Sequence, residues 1–149
     1  SNIRYELGDL GLRKVGSEGD IILFRYNGMW YDLNFPIHEW YDSDKLKLLD
    51  EVMLIGTPYL TEPNVRIGIV SDVYISEQRT NPLTKEFNNI FNSNIDAVKG
   101  DSGRTVFIKD DYKLKIVGLL FSTVEGGAFS SAWKSNYVLE VIERLKEKE

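Results

Sequence analysis

Short runs rich in Ile, Val, Tyr, Phe and Thr recur along this chain, and turn residues break every one of them. The runs are Ile3–Leu7, Leu10–Val15, Asp20–Tyr26, Glu51–Ile55, Val65–Ser76, Thr105–Lys109 and Leu114–Ser122. Between them stand Gly8-Asp9, Gly16-Ser17-Glu18-Gly19, Asn27-Gly28, Thr57-Pro58, Asp110-Asp111 and Gly126-Gly127. β-Branched and aromatic side chains favour the pleated strand, and Gly, Pro, Asn and Asp end it. Many short strands at this spacing predict an all-β sandwich or barrel. One segment breaks the pattern. From Ser135, residues Tyr137, Val138, Val141, Ile142 and Leu145 repeat at three and four, the period of an amphipathic helix. Ser135 or Asn136 is expected to cap its start, and Arg144, Lys146 and Lys148 suit its C-terminal end. Residues 77–94 are mostly polar and contain Pro82, so they read as a long surface excursion between strands.

Residue counts narrow the chemistry. The 149 residues include no cysteine and one histidine. That rules out a disulfide framework, a zinc–thiolate site, a thiol nucleophile and any centre needing two imidazoles. Carboxylates are scattered over turns and strand starts, so neither a metal nor an organic cofactor is expected. The net charge of −5 argues against nucleic acid as a partner, because phosphate binding needs a surplus of Lys and Arg. The longest apolar run, Ile116 to Phe121, is far short of the roughly 20 residues of a membrane-spanning helix. No signal peptide is visible, and the compartment stays unknown. A start at Ser1-Asn2 rather than Met leads to the expectation of a processed, tagged or truncated chain.

Gly100-Asp101-Ser102-Gly103 is the sharpest local motif. A nucleophilic serine must present its hydroxyl on a tight turn while backbone N–H groups point at the developing oxyanion, and flanking glycines permit that backbone. The same four residues also suit a plain hairpin turn. Taken alone, the motif leaves both readings open.

Its surroundings resemble the trypsin-like serine peptidases, most closely the branch containing the HtrA-type proteases. Asp20-Ile21-Ile22-Leu23-Phe24 resembles the strand that follows the catalytic aspartate. Asp42 to Leu46 and Asp50 to Pro58 resemble the entry into that family's second barrel, and Gly68-Ile69-Val70-Ser71 its next strand. Gly100 to Gly103 matches the nucleophile motif, and Val117-Gly118-Leu119-Leu120-Phe121 resembles the strand on which substrate pairs. The final helix closes the fold. These pieces occur in the family's order over residues 3 to 146.

The resemblance implies a chymotrypsin-like double β-barrel: residues 1–34 a remnant of the first barrel, 35–50 the connection, 51–134 the second barrel, and 135–149 the helix. It implies a serine endopeptidase acting on peptide or protein substrates. Ser102 would be the nucleophile, the N–H groups of Gly100 and Ser102 the oxyanion hole, and Asp20 the carboxylate that orients a catalytic imidazolium. Asp20 also suits a simple turn after Gly19. Asp96, six residues before Ser102, stands where such enzymes place the base of the primary pocket, where aspartate selects Lys or Arg; a plain loop position is the other reading. Phe121, Ser122 and Thr123 would line the substrate cleft, with Thr123 narrowing it. Arg104 replaces the family's frequent second glycine. Some viral capsid proteases of this fold also carry arginine there, and a solvated surface arginine is the simpler reading.

One member of the mechanism is missing. The base histidine of this family precedes the aspartate, but none of the nineteen residues before Asp20 is histidine. His38 follows it, in the expected connection, and is read as structural. About three strands fit before residue 27, where the family has six. The chain is therefore expected to lack an N-terminal segment of the same protease, which would be its partner, and to be inactive alone. The alternatives are a non-catalytic module that binds peptide along Val117–Thr123 and a structural, capsid-like, self-cleaving protein.

Overall fold

A computed structural model of the chain describes residues 12–26, 38–56, 64–73, 87–98, 100–123 and 129–149. The expected strand Ile3–Leu7 lies outside them. The chain divides into two units, Ser1–Ile37 with Leu139–Glu149, and His38–Val138.

In the first unit, β1 (Leu12–Glu18) and β2 (Ile21–Tyr26) form an antiparallel hairpin. Gly16-Ser17-Glu18, expected as a turn, instead continues β1 past a bulge between Lys14 and Gly16. The turn proper is Gly19-Asp20, where Gly19 takes φ +56, a left-handed conformation that costs glycine nothing. Gly16 also makes room for the helix: a Cβ there would lie 3.1 Å from Leu145 Cδ2. Arg144 reaches Glu18 at 3.0 Å, and Arg13 and Arg25 both reach Glu149. These pairs are exposed and add little stability.

The second unit is a closed barrel. β4 (Glu51–Gly56) pairs with β5 (Asn64–Val73) and β7 (Thr105–Asp110); β5 continues to β6 (Ile90–Ser93), β6 to β9 (Ser130–Lys134), and β7 to β8 (Lys113–Thr123). β9 then pairs with β8 and closes six antiparallel strands. β3 (Glu39–Trp40) adds a short parallel rung to β8 at Lys115 and Ile116. Closure is what protects this core, since each of the six strands pairs with two others. Val52, Leu54, Val70, Phe91, Val106, Val117 and Leu120 fill it.

Strand patterning explains the inward faces, with one inversion. On β4 the alternation is conventional: Val52, Leu54 and Gly56 are buried while Glu51 and Ile55 are exposed. On β5 the apolar residues Val65, Ile67 and Ile69 point outward, Ile67 being 58% exposed. The inward phase carries Arg66, Gly68 and Val70. Gly68 has to be glycine: a Cβ would come within 2.6 Å of Asn94 Oδ1 and 2.7 Å of the Ile95 nitrogen. The Asn94 side chain accepts from the Ile69 N–H at 2.7 Å in that space.

Two parts of the expected surface excursion are built into the barrel. Phe87–Asn89 forms a 3-10 turn and Ile90–Ser93 is β6, with Asn88, Phe91 and Ser93 buried. The β7–β8 hairpin turns on Asp111 and Tyr112, both left-handed at φ 51 and 63, as a two-residue loop of this twist requires.

Helix α1 spans Ser135–Glu147, with Val138, Val141 and Leu145 buried. Its start is tied down differently from the expectation. The Ser135 hydroxyl donates to the Tyr41 carbonyl at 2.5 Å, and the Asn136 N–H donates to Ser43 Oγ at 3.1 Å. Asn136 answers by accepting from the Ser43 N–H at 3.1 Å and donating to Asp42 at 2.8 Å. The hydrogen bonds recorded for both residues thus run to the connection after β3. No helix among the described residues is long and apolar enough to cross a membrane.

Burial sets the stability expectation for this barrel. Leu54→Ala should cost about 2–5 kcal/mol, whereas Ile67→Thr on the outer face should stay within about 0.5 kcal/mol. Urea unfolding of the two variants checks this contrast.

Candidate active site

Gly100-Asp101-Ser102-Gly103 sits between β6 and β7 as a turn with one residue buried and its neighbour exposed. Asp101 is 1% exposed, and Ser102 projects to solvent. Gly100 takes φ +100 and Gly103 φ +88, and nothing lies within 4 Å of a Cβ built on either. The backbone conformation, not crowding, is what calls for glycine here. The turn is laced to β8: the Gly103 N–H donates to the Leu120 carbonyl at 2.7 Å and the Leu120 N–H to the Arg104 carbonyl at 3.0 Å. The Ser102 hydroxyl donates weakly to the Phe121 carbonyl at 3.4 Å.

Beneath the serine lies a cluster of charge. Arg66 on β5 grips the Asp101 carboxylate with both terminal nitrogens, at 2.6 and 2.9 Å. Arg104 Nε adds a third bond at 2.9 Å and the Val98 N–H a fourth at 2.8 Å. Arg66 also donates to the Asp96 carbonyl at 3.0 Å, and its side chain is only 13% exposed. The hydrogen bond from Arg66 lowers the Asp101 pKa, helped by the Val98 N–H and by both guanidinium charges, against the opposing effect of burial. The same contact raises the Arg66 pKa. Arg104 is not the solvated arginine of the simple reading. It lies over Gly56, where a Cβ would meet its Cζ at 2.9 Å.

The other expected site residues fall at several places. Asp96 is exposed on the stretch between β6 and the turn. Phe121 stacks on Trp133 with centroids 4.5 Å apart, and Ser122 is exposed. The Thr123 hydroxyl donates to the Ala97 carbonyl at 3.2 Å, tying the end of β8 to the segment that precedes the turn. Asp20 is exposed in the β1–β2 turn of the first unit. The pairing edge expected over Val117–Thr123 is shorter than that. Gly118 and Leu119 pair with β7 on one side and β9 on the other. Beyond Leu120, among the described residues, only Phe121–Thr123 lacks a backbone partner on the Ser102 side.

His38 stands away from all of this. Its Nδ1 lies 3.2 Å from the Leu114 carbonyl, and its ring packs edge-on to Phe107 with centroids 4.8 Å apart. Leu114 and Phe121 sit near opposite ends of β8, roughly 20 Å apart at a strand's rise per residue. A general base must come within about 3 Å of the hydroxyl it deprotonates. No group of three or more potential metal ligands occurs among the described residues.

Sequence reasoning missed Asp101 and Arg66. The available signal was the strand phase. Arg66 alternates with Gly68 and Val70 on the buried face of β5, and an inward-phase arginine needs a buried anion.

No family model matches the chain, and no curated protein does. Solved structures do match its fold. An HtrA-type protease, AlgW, solved with a decapeptide, aligns at a TM-score of 0.68 and 19% identity over 91% of this chain. A serine endoprotease from Yersinia pestis gives the same three values. This chain spans 40% of the first structure's length and 44% of the second's. The fold is thus the chymotrypsin-like one of HtrA-type proteases, with one closed six-stranded barrel and, among the described residues, a second sheet of two strands.

Because the folded-state pKa of Asp101 is lowered, its contribution to stability is present above the ordinary carboxylate value near 4 and is lost as pH falls through the lowered folded value. Asp101→Asn should cost about 3–5 kcal/mol at pH 7 by leaving Arg66 buried without its counter-charge. It should also flatten the decline of stability below about pH 4. Urea unfolding at pH 2–7 measures both effects, and an unchanged acid slope would count against them.

Proposed function

We propose that this chain is the nucleophile-bearing part of a serine endopeptidase, with Ser102 forming the acyl-enzyme. The observation that carries this is an exposed serine on a turn held between two left-handed glycines, in a barrel of HtrA-type fold. In the proposed reaction Ser102 Oγ attacks the scissile carbonyl as its proton passes to the imidazole; the C–N bond then breaks, and the departing amine takes that proton. The N–H groups of Gly100 and Ser102 bind the oxyanion, and water later releases the acyl group. The peptide runs beside Phe121–Thr123, the part of β8 that has no strand partner on that side among the described residues. Asp20 has the role of orienting an imidazolium.

His38 does not fit as the base, given its contacts with Leu114 and Phe107. In this proposal the imidazole comes from a further segment of the protease, and the 149 residues alone turn over little or no substrate. A second reading, a peptide-binding module without catalysis, is favoured by the Ser102 hydroxyl itself. It donates to a backbone carbonyl rather than to a base.

Peptide-library cleavage and labelling by a fluorophosphonate test both readings. The expected result is negligible turnover by this chain alone, with peptide binding retained. Robust turnover abolished by Ser102→Ala and by His38→Ala would overturn the role given to His38. Peptide binding unaffected by Ser102→Ala, with no labelling even when a histidine-bearing segment is supplied, would favour the module.

A further inference from the structure

We propose that β5 carries a docking edge at Val65–Ile67, separate from the Ser102 cleft, which takes an extended strand of a partner protein in which apolar residues alternate with Lys or Arg. The first observation is where the β5 backbone points. The Val70 N–H donates to the Asp50 carbonyl at 2.8 Å, and the Val70 carbonyl accepts from the Leu49 N–H at 2.9 Å. Val70 therefore faces the β4 side, and by the alternation of an antiparallel ladder Gly68 and Arg66 face it too. Ile69, Ile67 and Val65 face the other way. Ile69 is met there by Asn94, whose Oδ1 accepts from its N–H at 2.7 Å and whose N–H donates to its carbonyl at 3.1 Å. Past Asn94 the chain leaves this edge. The Ile95 nitrogen lies 2.7 Å from where a Gly68 Cβ would stand, and the Asp96 carbonyl accepts from Arg66. Among the described residues, β6 joins β5 only from Val70 onward, and nothing pairs with the N–H and C=O groups of Val65 and Ile67 on that side.

The second observation is what flanks the edge. Val65 and Ile67 are 55% and 58% exposed on the outer face, without the Lys or Pro that usually guards an open strand. Arg66, the charge between them, is turned inward to Asp101. An added strand would lay alternate side chains on Val65 and Ile67 and the others on the opposite face. On that face Asp96 is exposed, while Arg66 already has Asp101 as its counter-charge, so a cation suits it. The net charge of −5 favours a basic partner and opposes a second copy. Three residues of edge also fall far short of the roughly 800 Å² per partner that a stable dimer buries.

Amide NMR of the whole chain tests this independently of the peptidase reading. In the free protein the Val65 and Ile67 amides should exchange with solvent freely, while Arg66, Gly68 and Val70 are protected. The probe is a blocked peptide of alternating valine and lysine. Titrating it should shift and protect the Val65 and Ile67 amides, equally well in Ser102→Ala. A valine–glutamate peptide should bind roughly 3- to 10-fold more weakly, because it sets like charge against Asp96. A fully N-methylated valine–lysine peptide should not bind. Ile67→Pro removes one free N–H and no bond to β4, so it should weaken binding by about 10-fold or more. If that variant does not fold, Val65→Lys with Ile67→Lys carries the same expectation. Protection of the Val65 and Ile67 amides in the free chain would overturn the proposal, as would a dimer in sedimentation that competes with the peptide. So would equal binding of the N-methylated peptide, or shifts confined to Phe121–Thr123.

Discussion

A carboxylate almost cut off from water stays ionised only if donors surround it, and the conformation of the Ser102 turn depends on how that demand is met at Asp101. Burying such a group without partners would be prohibitive. Here two arginines and a backbone N–H supply four hydrogen bonds to it. The arrangement explains several otherwise unrelated residues. Arg66 takes an inward position on β5 that an apolar side chain would usually fill, Gly56 gives up its side chain to Arg104, and the flanking glycines accept left-handed backbone. A single electrostatic requirement thus reaches across β4, β5 and the β6–β7 connection.

The fold was legible where packing and local preference agree. β4, β7 and β8 are rich in β-branched and other apolar residues, and in α1 Val138, Val141 and Leu145 recur at helical spacing; all four elements formed close to the expected limits. β9 is Ser-Ser-Ala-Trp-Lys, with no β-branched residue, and is a strand because β6 and β8 pair with it on both sides. β6 lay within a polar stretch, and its register with β5 and β9, not its composition, sets it. Such pairings are tertiary and leave little trace in a local window. Asn136 shows the same limit at a helix end. A polar residue there is readable as a cap, but the partner that satisfies it, Ser43, lies 93 positions away.

The site was legible to a similar depth. The glycine spacing around Ser102 identified a turn that exposes a hydroxyl. The buried half of that turn was invisible, because Asp in Gly-Asp-Ser-Gly looks like any turn aspartate until Arg66 is seen beside it. β8 links the remaining pieces. Its first half carries the carbonyl that contacts His38, its centre is paired on both sides, and its last residues, Phe121 to Thr123, have no strand partner on the Ser102 side among the described residues. One strand therefore separates the chain's single imidazole from its exposed hydroxyl.

The outward stripe of Val65, Ile67 and Ile69 also bears on how the protein behaves in crowded solution. Exposed β-branched residues are commonly a hazard because they coincide with an unpaired strand, where apolar contact and backbone pairing reinforce each other into fibrils. On β5 the two are separated along one side. Val65, Ile67 and Ile69 pair in register with β4, whereas β6 joins the strand only at Val70 to Val73. The stripe's backbone on the β4 side is thus withheld from any strand of another copy while the barrel stays shut.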